Sequence, residues 1–188
     1  MRVWLTADTH FGHKGRMPGL RNFESIEEHD DVLAQRWNKL VKRGDTVLHL
    51  GDVGLGRESY ILKVCARLNG QKHLIAGNHD AVWPGHREAH KHLRAWMDVF
   101  ESVQFFARRR VGPVSYLLSH LPYHGDHTEN VRYQEYRLPN TGMLLLHGHV
   151  HDKWLVQGNQ INVGVDQWRL QPVSLDEVIE LAKSLGLM

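Results

Sequence analysis

Short, largely apolar runs at residues 3–7, 46–50, 73–76 and 143–147 predict buried strands. Between the first three of them, apolar residues recur at helical spacing. Leu33, Trp37, Leu40 and Val41 form one face, and Ile61, Val64, Cys65 and Leu68 form another. The first predicted helix opens on Ser25-Ile26-Glu27-Glu28, a capping-box pattern with Ser25 as N-cap and Glu28 at the third helical position. It stops at Gly44, and the second helix stops at Gly70. Alternation of strand, helix and strand predicts an α/β fold, a sheet covered by helices.

The second half is richer in strands. Residues 87–97 read as a helix with Leu93, Trp96 and Met97 apolar. Residues 103–110 and 114–119 read as a hairpin around Gly112-Pro113. Residues 154–157 and 161–165 read as another, with Gly158-Asn159 at its turn. Ser174-Leu175-Asp176-Glu177 repeats the capping-box signature and opens a terminal helix running to about residue 185. There is no internal repeat, low-complexity tract or linker, so residues 1–188 read as one domain. The longest irregular stretch, residues 122–142, is expected to form a wall of a site.

That site is implied by five polar segments, most of which follow an apolar run: Asp8-Thr9-His10, Gly51-Asp52, Gly77-Asn78-His79-Asp80, Ser119-His120 and Gly148-His149-Val150-His151. Loops at the carboxyl ends of strands are where α/β sheets build sites. Two divalent ions about 3.5–4 Å apart need a bridging carboxylate and neutral imidazoles. Asp8 and His10 stand two apart at a strand end, where both can turn toward one ion. Asp52 is a lone carboxylate after a glycine and suits a bridge. Asn78 offers an amide oxygen, and His120, His149 and His151 offer nitrogens. Packing alone does not explain why so many strand-end residues can coordinate metal.

Composition narrows the picture. Apolar content of 41% and charged content of 23% are ordinary for a globular protein. A net charge of +2 does not by itself imply nucleic-acid binding. Fifteen histidines favour metal chemistry. His29, His73, His86, His90 and His92 lie outside the five segments and read as core or surface residues; His49 and His147 read as strand residues. Cys65 is the only cysteine, which excludes an intrachain disulfide and a thiolate zinc cluster. No run of about 18 apolar residues could span a membrane. The first candidate ligand, Asp8, comes too early to leave room for a cleaved leader, so the expected location is the cytoplasm.

The order Asp-x-His, Gly-Asp, Gly-Asn-His-Asp, His and Gly-His-x-His, from Asp8 to His151, resembles the calcineurin-like metallophosphoesterase family. The resemblance implies a four-layer α/β/β/α sandwich with mixed sheets and a dinuclear site at the sheets' edge. It implies that Asp8, His10 and His151 hold one ion, that Asn78, His120 and His149 hold the other, and that Asp52 bridges them. His79 is similar to the residue near the leaving group, and Asp80 to its orienting partner. Many relatives carry an acidic residue and an arginine soon after the Gly-Asp step; here only Arg57 could stand in. The chain resembles a small, free-standing member without a cap.

The function expected on this basis is hydrolysis of phosphodiesters, cyclic nucleotides included, by a hydroxide bridging two divalent ions. Donors limited to nitrogen and oxygen suit manganese, iron, zinc or cobalt. His79 is expected to protonate the leaving oxygen. A phosphomonoesterase and a nuclease are the alternatives on the same scaffold; a basic groove from Arg108-Arg109-Arg110 toward the metals would favour the nuclease. His13, Arg57 and His124 are the candidate substrate contacts. His127 is weighed with them against a solvated loop histidine.

Overall fold

The computed structural model describes residues 1–15 and 17–188. The strands and helices follow in the order β1 (Val3–Thr6), α1 (Met17–Leu20), α2 (Ile26–Leu40), β2 (Thr46–His49), α3 (Glu58–Ala66), β3 (Gln71–Ile75), α4 (Ala89–Met97), β4 (Ser102–Gln104), β5 (Phe106–Val111), β6 (Val114–Ser119), β7 (Leu144–His147), β8 (Val156–Gln157), β9 (Gln160–Asn162), β10 (Val173–Ser174) and α5 (Leu175–Ser184). They build two mixed five-stranded sheets, ordered β10-β1-β2-β3-β4 and β5-β6-β7-β9-β8. In the first, β1 to β4 run parallel and β10 pairs antiparallel with β1. In the second, β6, β7 and β9 are parallel, with antiparallel edges.

Residue alternation explains the layering. On β1, β2 and β3 the residues Leu5, Leu48 and Ile75 join Leu118, Leu146 and Ile161 in a core between the sheets. Their neighbours Trp4, Val47 and Leu74 face Leu33, Trp37, Ile61, Val64 and Trp96 of the helices. Strands buried on both faces read as continuous apolar runs, which is why the sequence showed them plainly. α5 adds Val178 and Ala182 to the inter-sheet core. It opens on a full capping box, in which the Ser174 side chain accepts from the Glu177 N–H and Glu177 accepts from the Ser174 N–H. Ser25 caps α2 as expected, but Glu28 reaches the N–H of Glu24 instead of that of Ser25.

Two expectations need correction, and two short elements were not expected. The strand read over 103–110 is two strands in different sheets: β4 pairs with β3 and β5 with β6, and the chain crosses at Phe105. No Gly, Pro, Asn or Asp interrupts residues 103–110, so nothing in the sequence marks the crossing. The strand read over 161–165 ends at Asn162, and Val165–Gln167 is a 3-10 turn. The helix 17–20 and the two-residue β10 are too short to give a period. No helix among the described residues is long and apolar enough to cross a membrane.

Candidate metal centre

The carboxyl ends of β1, β2, β3, β6 and β7 deliver the five polar segments to one end of the two sheets. Among the described residues, nine non-glycine residues have left-handed backbone, and five of them are Asp8, His10, Asp52, His149 and His151. That conformation costs an ordinary residue of order 1–3 kcal/mol and persists where the surroundings impose it, typically at functional sites. Close approach of backbone is part of the imposition. A Cβ on Gly51 would stand 2.5 Å from the Gly77 nitrogen, and one on Gly148 would stand 2.6 Å from Asp8 Oδ2.

Two clusters result. Asp8, His10 and His151 present donor atoms within 4.8 Å of one another, as do Asp52, His120 and His149. Asn78 joins the second cluster, with Oδ1 3.1 Å from His120 Nε2. Asp52 lies between them: Oδ2 is 3.8 Å from His10 Nε2 and Oδ1 is 3.4 Å from His120 Nε2. Two ligand atoms each about 2.1 Å from a shared ion stand about 3–3.5 Å apart, so this spacing suits a common cation. His10 adds a stronger sign. It is buried, yet neither ring nitrogen has a hydrogen-bond partner among the described residues. A buried polar atom left unpaired is costly, and a cation facing it would repair the deficit. The donor set therefore fits divalent metal.

Each cluster has its own outer support. Behind the first, Arg21 forks onto Asp166 through two 2.8 Å bonds and donates to the Asp8 and Thr9 carbonyls. Asp166 accepts from His151 Nδ1 at 2.9 Å, which turns Nε2 toward the cluster. The Arg21 guanidinium also faces His29 Nε2. Arginine can only donate, so His29 Nε2 accepts there and Nδ1 donates to Asp30. Asp30 in turn accepts from the Gly12 N–H and the Tyr60 hydroxyl. Behind the second cluster, Asp126 contacts His149 Nε2 at 3.1 Å and is held by Arg132 and Arg137.

Asp80 binds neither cluster. Its carboxylate accepts from the backbone N–H groups of Gly77, Asp52 and Val53. It therefore ties two ligand loops together and does not orient the His79 ring, contrary to the family-based expectation. His49 works similarly. Its Nδ1 accepts from the Gly51 N–H, so Nε2 carries the proton toward Thr9, whose hydroxyl donates to the Val53 carbonyl.

The electrostatics favour ligation at most positions. Burial holds His10 well below its ordinary pKa and brings His149 down to about 4, which keeps both imidazoles neutral. Burial alone would raise Asp52, but His120, His10 and His79 outweigh it and hold the carboxylate ionised. Burial pushes Asp8 up to about 6 and Asp80 up to about 7. His120 is the exception: burial would lower it, but Asp52 and Asp8 raise it to about 9. Its Nδ1 already faces the Leu50 carbonyl, so a cation at Nε2 would replace the extra proton there.

The remaining candidates divide. His79 lies at the rim, 35% exposed, with Nε2 3.9 Å from Asp52 Oδ2 and its backbone N–H on Asp52 Oδ1. Burial lowers its pKa. His13 lies beside it, its ring 5.4 Å from His10 and 6.4 Å from His79. His127 packs 5.2 Å from His149 and 5.4 Å from His151. Arg57 is exposed at the start of α3, where its side chain makes no cap bond. His124 is exposed and its ring lies toward Gly158 on the β8–β9 turn. Neither is brought to the clusters by any contact in the structure. Arg108, Arg109 and Arg110 pair with Leu117, Tyr116 and Ser115, so the basic run leads away from the His120 end of β6. His147 is buried against Trp154 and bonds the Gly148 carbonyl.

Sequence reasoning passed over Arg21, Asp126, Arg132, Arg137 and Asp166. Two of these carried a legible signal. Gly164-Val165-Asp166 follows an apolar run and Gly125-Asp126-His127 repeats the glycine–acid pattern of the five segments. The arginines carried none.

A family model described as the calcineurin-like phosphoesterase superfamily domain matches residues 1–175. The Gene 66 protein of Mycobacterium phage L5 is 41% identical over 199 residues, covering 97% of this chain and 95% of that protein. The Gene 66 protein of Mycobacterium phage D29 is 36% identical over 195 residues, covering 97% and 96%. Among solved structures, the protein of unknown function AQ665 from Aquifex aeolicus superposes with a TM-score of 0.71 at 26% identity, covering 96% of this chain and 98% of that one. With sheets, strand-end clusters and sequence in agreement, this chain belongs to the calcineurin-like phosphoesterase superfamily.

Proposed function

We propose that this protein is a metal-dependent phosphodiesterase with a two-ion centre. Asp8, His10 and His151 hold one ion, Asn78, His120 and His149 hold the other, and Asp52 is shared. The observation that carries this reading is Asp52, whose two oxygens face histidines of opposite clusters. When bound, the pair of ions lowers the pKa of a water and neutralises the phosphoryl oxygens. The protein's own task is placement: Asp80 and the glycine turns fix the loops, and Asp166 and Asp126 aim His151 and His149. His79 stands at the open rim, where its imidazole can give a proton to the departing oxygen.

Diesters are favoured because the rim is open at His79, and a second substituent on phosphorus needs that room. Nitrogen and oxygen donors suit manganese, iron, zinc or cobalt. The basic run on β5 leads away from the centre, which favours small diesters over nucleic acid. A lone, buried Cys65 accords with a cytoplasmic location. The test is one panel with manganese: an aryl diester, an aryl monoester, a cyclic nucleotide, and single-stranded DNA and RNA. The expected order is diester and cyclic nucleotide first, polymers last. No turnover of any phosphoester by the metal-loaded protein overturns the reading.

A further inference from the structure

The segment 122–142 is more than a wall. Arg137 sits inside it and donates to the carbonyls of Pro122, Gly125 and Arg132, which makes the segment a compact unit. On that unit stands Arg132. Its Nη2 is 2.9 Å from Asp126 Oδ1 and 3.1 Å from each ring nitrogen of His127. His127 Nδ1 gives its proton to the His149 carbonyl, so Nε2 is the acceptor for the arginine. Asp126, His127 and His149 lie close enough together to hold a cation of their own. Arg132 already supplies the positive charge among them, and the trio needs no third ion.

The guanidinium is therefore fixed at one nitrogen and idle at another. Nε is buried and has no hydrogen-bond partner among the described residues. Tyr133, held in left-handed backbone, lies under the guanidinium carbon with its centroid 5.5 Å away, and its ring is 6.0 Å from His149. The side chain remains 36% exposed, and its charge acts on His79 at the rim, so a ligand docking there comes within its field. A planar fork of donors suits a tetrahedral oxyanion, and the exposed part of this fork is where such an anion would dock.

We infer that Arg132 is a substrate-binding residue that takes a non-bridging phosphoryl oxygen, from a loop lying outside the five ligand segments. The inference rests on the phosphoesterase reading for its ligand. It also supplies the cationic contact that Arg57, exposed at the start of α3, does not provide.

The test uses orthophosphate as the probe, with calorimetry on the full manganese-loaded chain, so that turnover is not needed. Arg132→Gln is expected to weaken orthophosphate binding about 10- to 100-fold, the range for a lost charge-assisted hydrogen bond. Manganese binding, titrated separately, should stay within about threefold of wild type. Arg132→Lys should fall between, because it keeps the charge and loses the fork. Unchanged orthophosphate affinity in the Gln variant overturns the assignment, as does wild-type protein that takes up no orthophosphate. Parallel loss of manganese and orthophosphate in both variants also overturns it, because Arg132 would then only support the loop. Orthophosphate uptake without phosphoester turnover would defeat the proposed activity and leave this assignment standing.

Discussion

Arg21 and Asp126 support opposite halves of the centre through connections of very different reach in sequence. Arg21 is 3% exposed and links Asp166, 145 residues away in sequence, to the Asp8 and Thr9 carbonyls and to His29. Its bonds join the first ligand loop to the segment after β9, so this half can form only when the whole fold forms. Asp126 is anchored by Arg132 and Arg137, within 11 residues along the same loop. Only its contact with His149 leaves that loop for a ligand segment. The first half is thus part of the global fold, and the second can loosen locally. Stability and metal affinity should be tied together in one half and separable in the other.

The sharpest way to break this comparison is at the residue common to both halves. Asp52→Asn should cost both ions and reduce activity to background, whereas Asp8→Asn should spare the second cluster. Elemental analysis after gel filtration in manganese checks it, and close to two ions per chain in the Asp52 variant would contradict the shared role. Next comes Arg21→Met, which strands the mostly buried Asp166 and is expected to cost about 2–4 kcal/mol in urea denaturation, metal-free. A loss under about 1 kcal/mol would show that the first half is not built into the fold. Asp126→Asn should cost clearly less in urea denaturation than Arg21→Met and weaken manganese binding about 10- to 100-fold, read by titration. Stability lost in proportion to affinity would erase the difference between the halves.

The smallest effect expected concerns His79, which lies at the rim between the clusters. Burial holds its pKa below 6.5, so at neutral pH it is mostly unprotonated. A proton-donating role is therefore present below that pKa and lost as pH rises through it. The rate ratio of wild type to His79→Ala on an alkyl diester should approach one near pH 8 and grow as pH falls, with metal content matched. An activated aryl diester, which needs no acid, should show no such growth. A flat ratio on both substrates would assign His79 to positioning.

Ligands and their supports differ in how far they could be read from the residues. Strands buried on both faces gave β1, β2, β3 and β7 directly, and their ends marked six of the seven candidate ligands, with His120 at the end of β6. Ligand chemistry restricts residue type, so Asp52 or His149 stands out in a string of letters. Supporting chemistry does not. Arg21 is one of many basic residues until the fold brings Asp166 beside it, and Arg132 looks like a solvated loop cation. The family resemblance pairs Asp80 with His79, whereas its oxygens point to backbone N–H groups 27 and 28 residues back. The crossing at Phe105 was hidden for a related reason: sheet membership is decided by partners, not by the strand's own pattern.

The account turns on two ions acting as one centre. The most direct measurement is to titrate metal-stripped protein with manganese while following hydrolysis of an aryl phosphodiester. Bound metal should saturate at two per chain, with activity rising chiefly as the second equivalent binds. Full activity in the metal-free protein, or at a single equivalent, would contradict it.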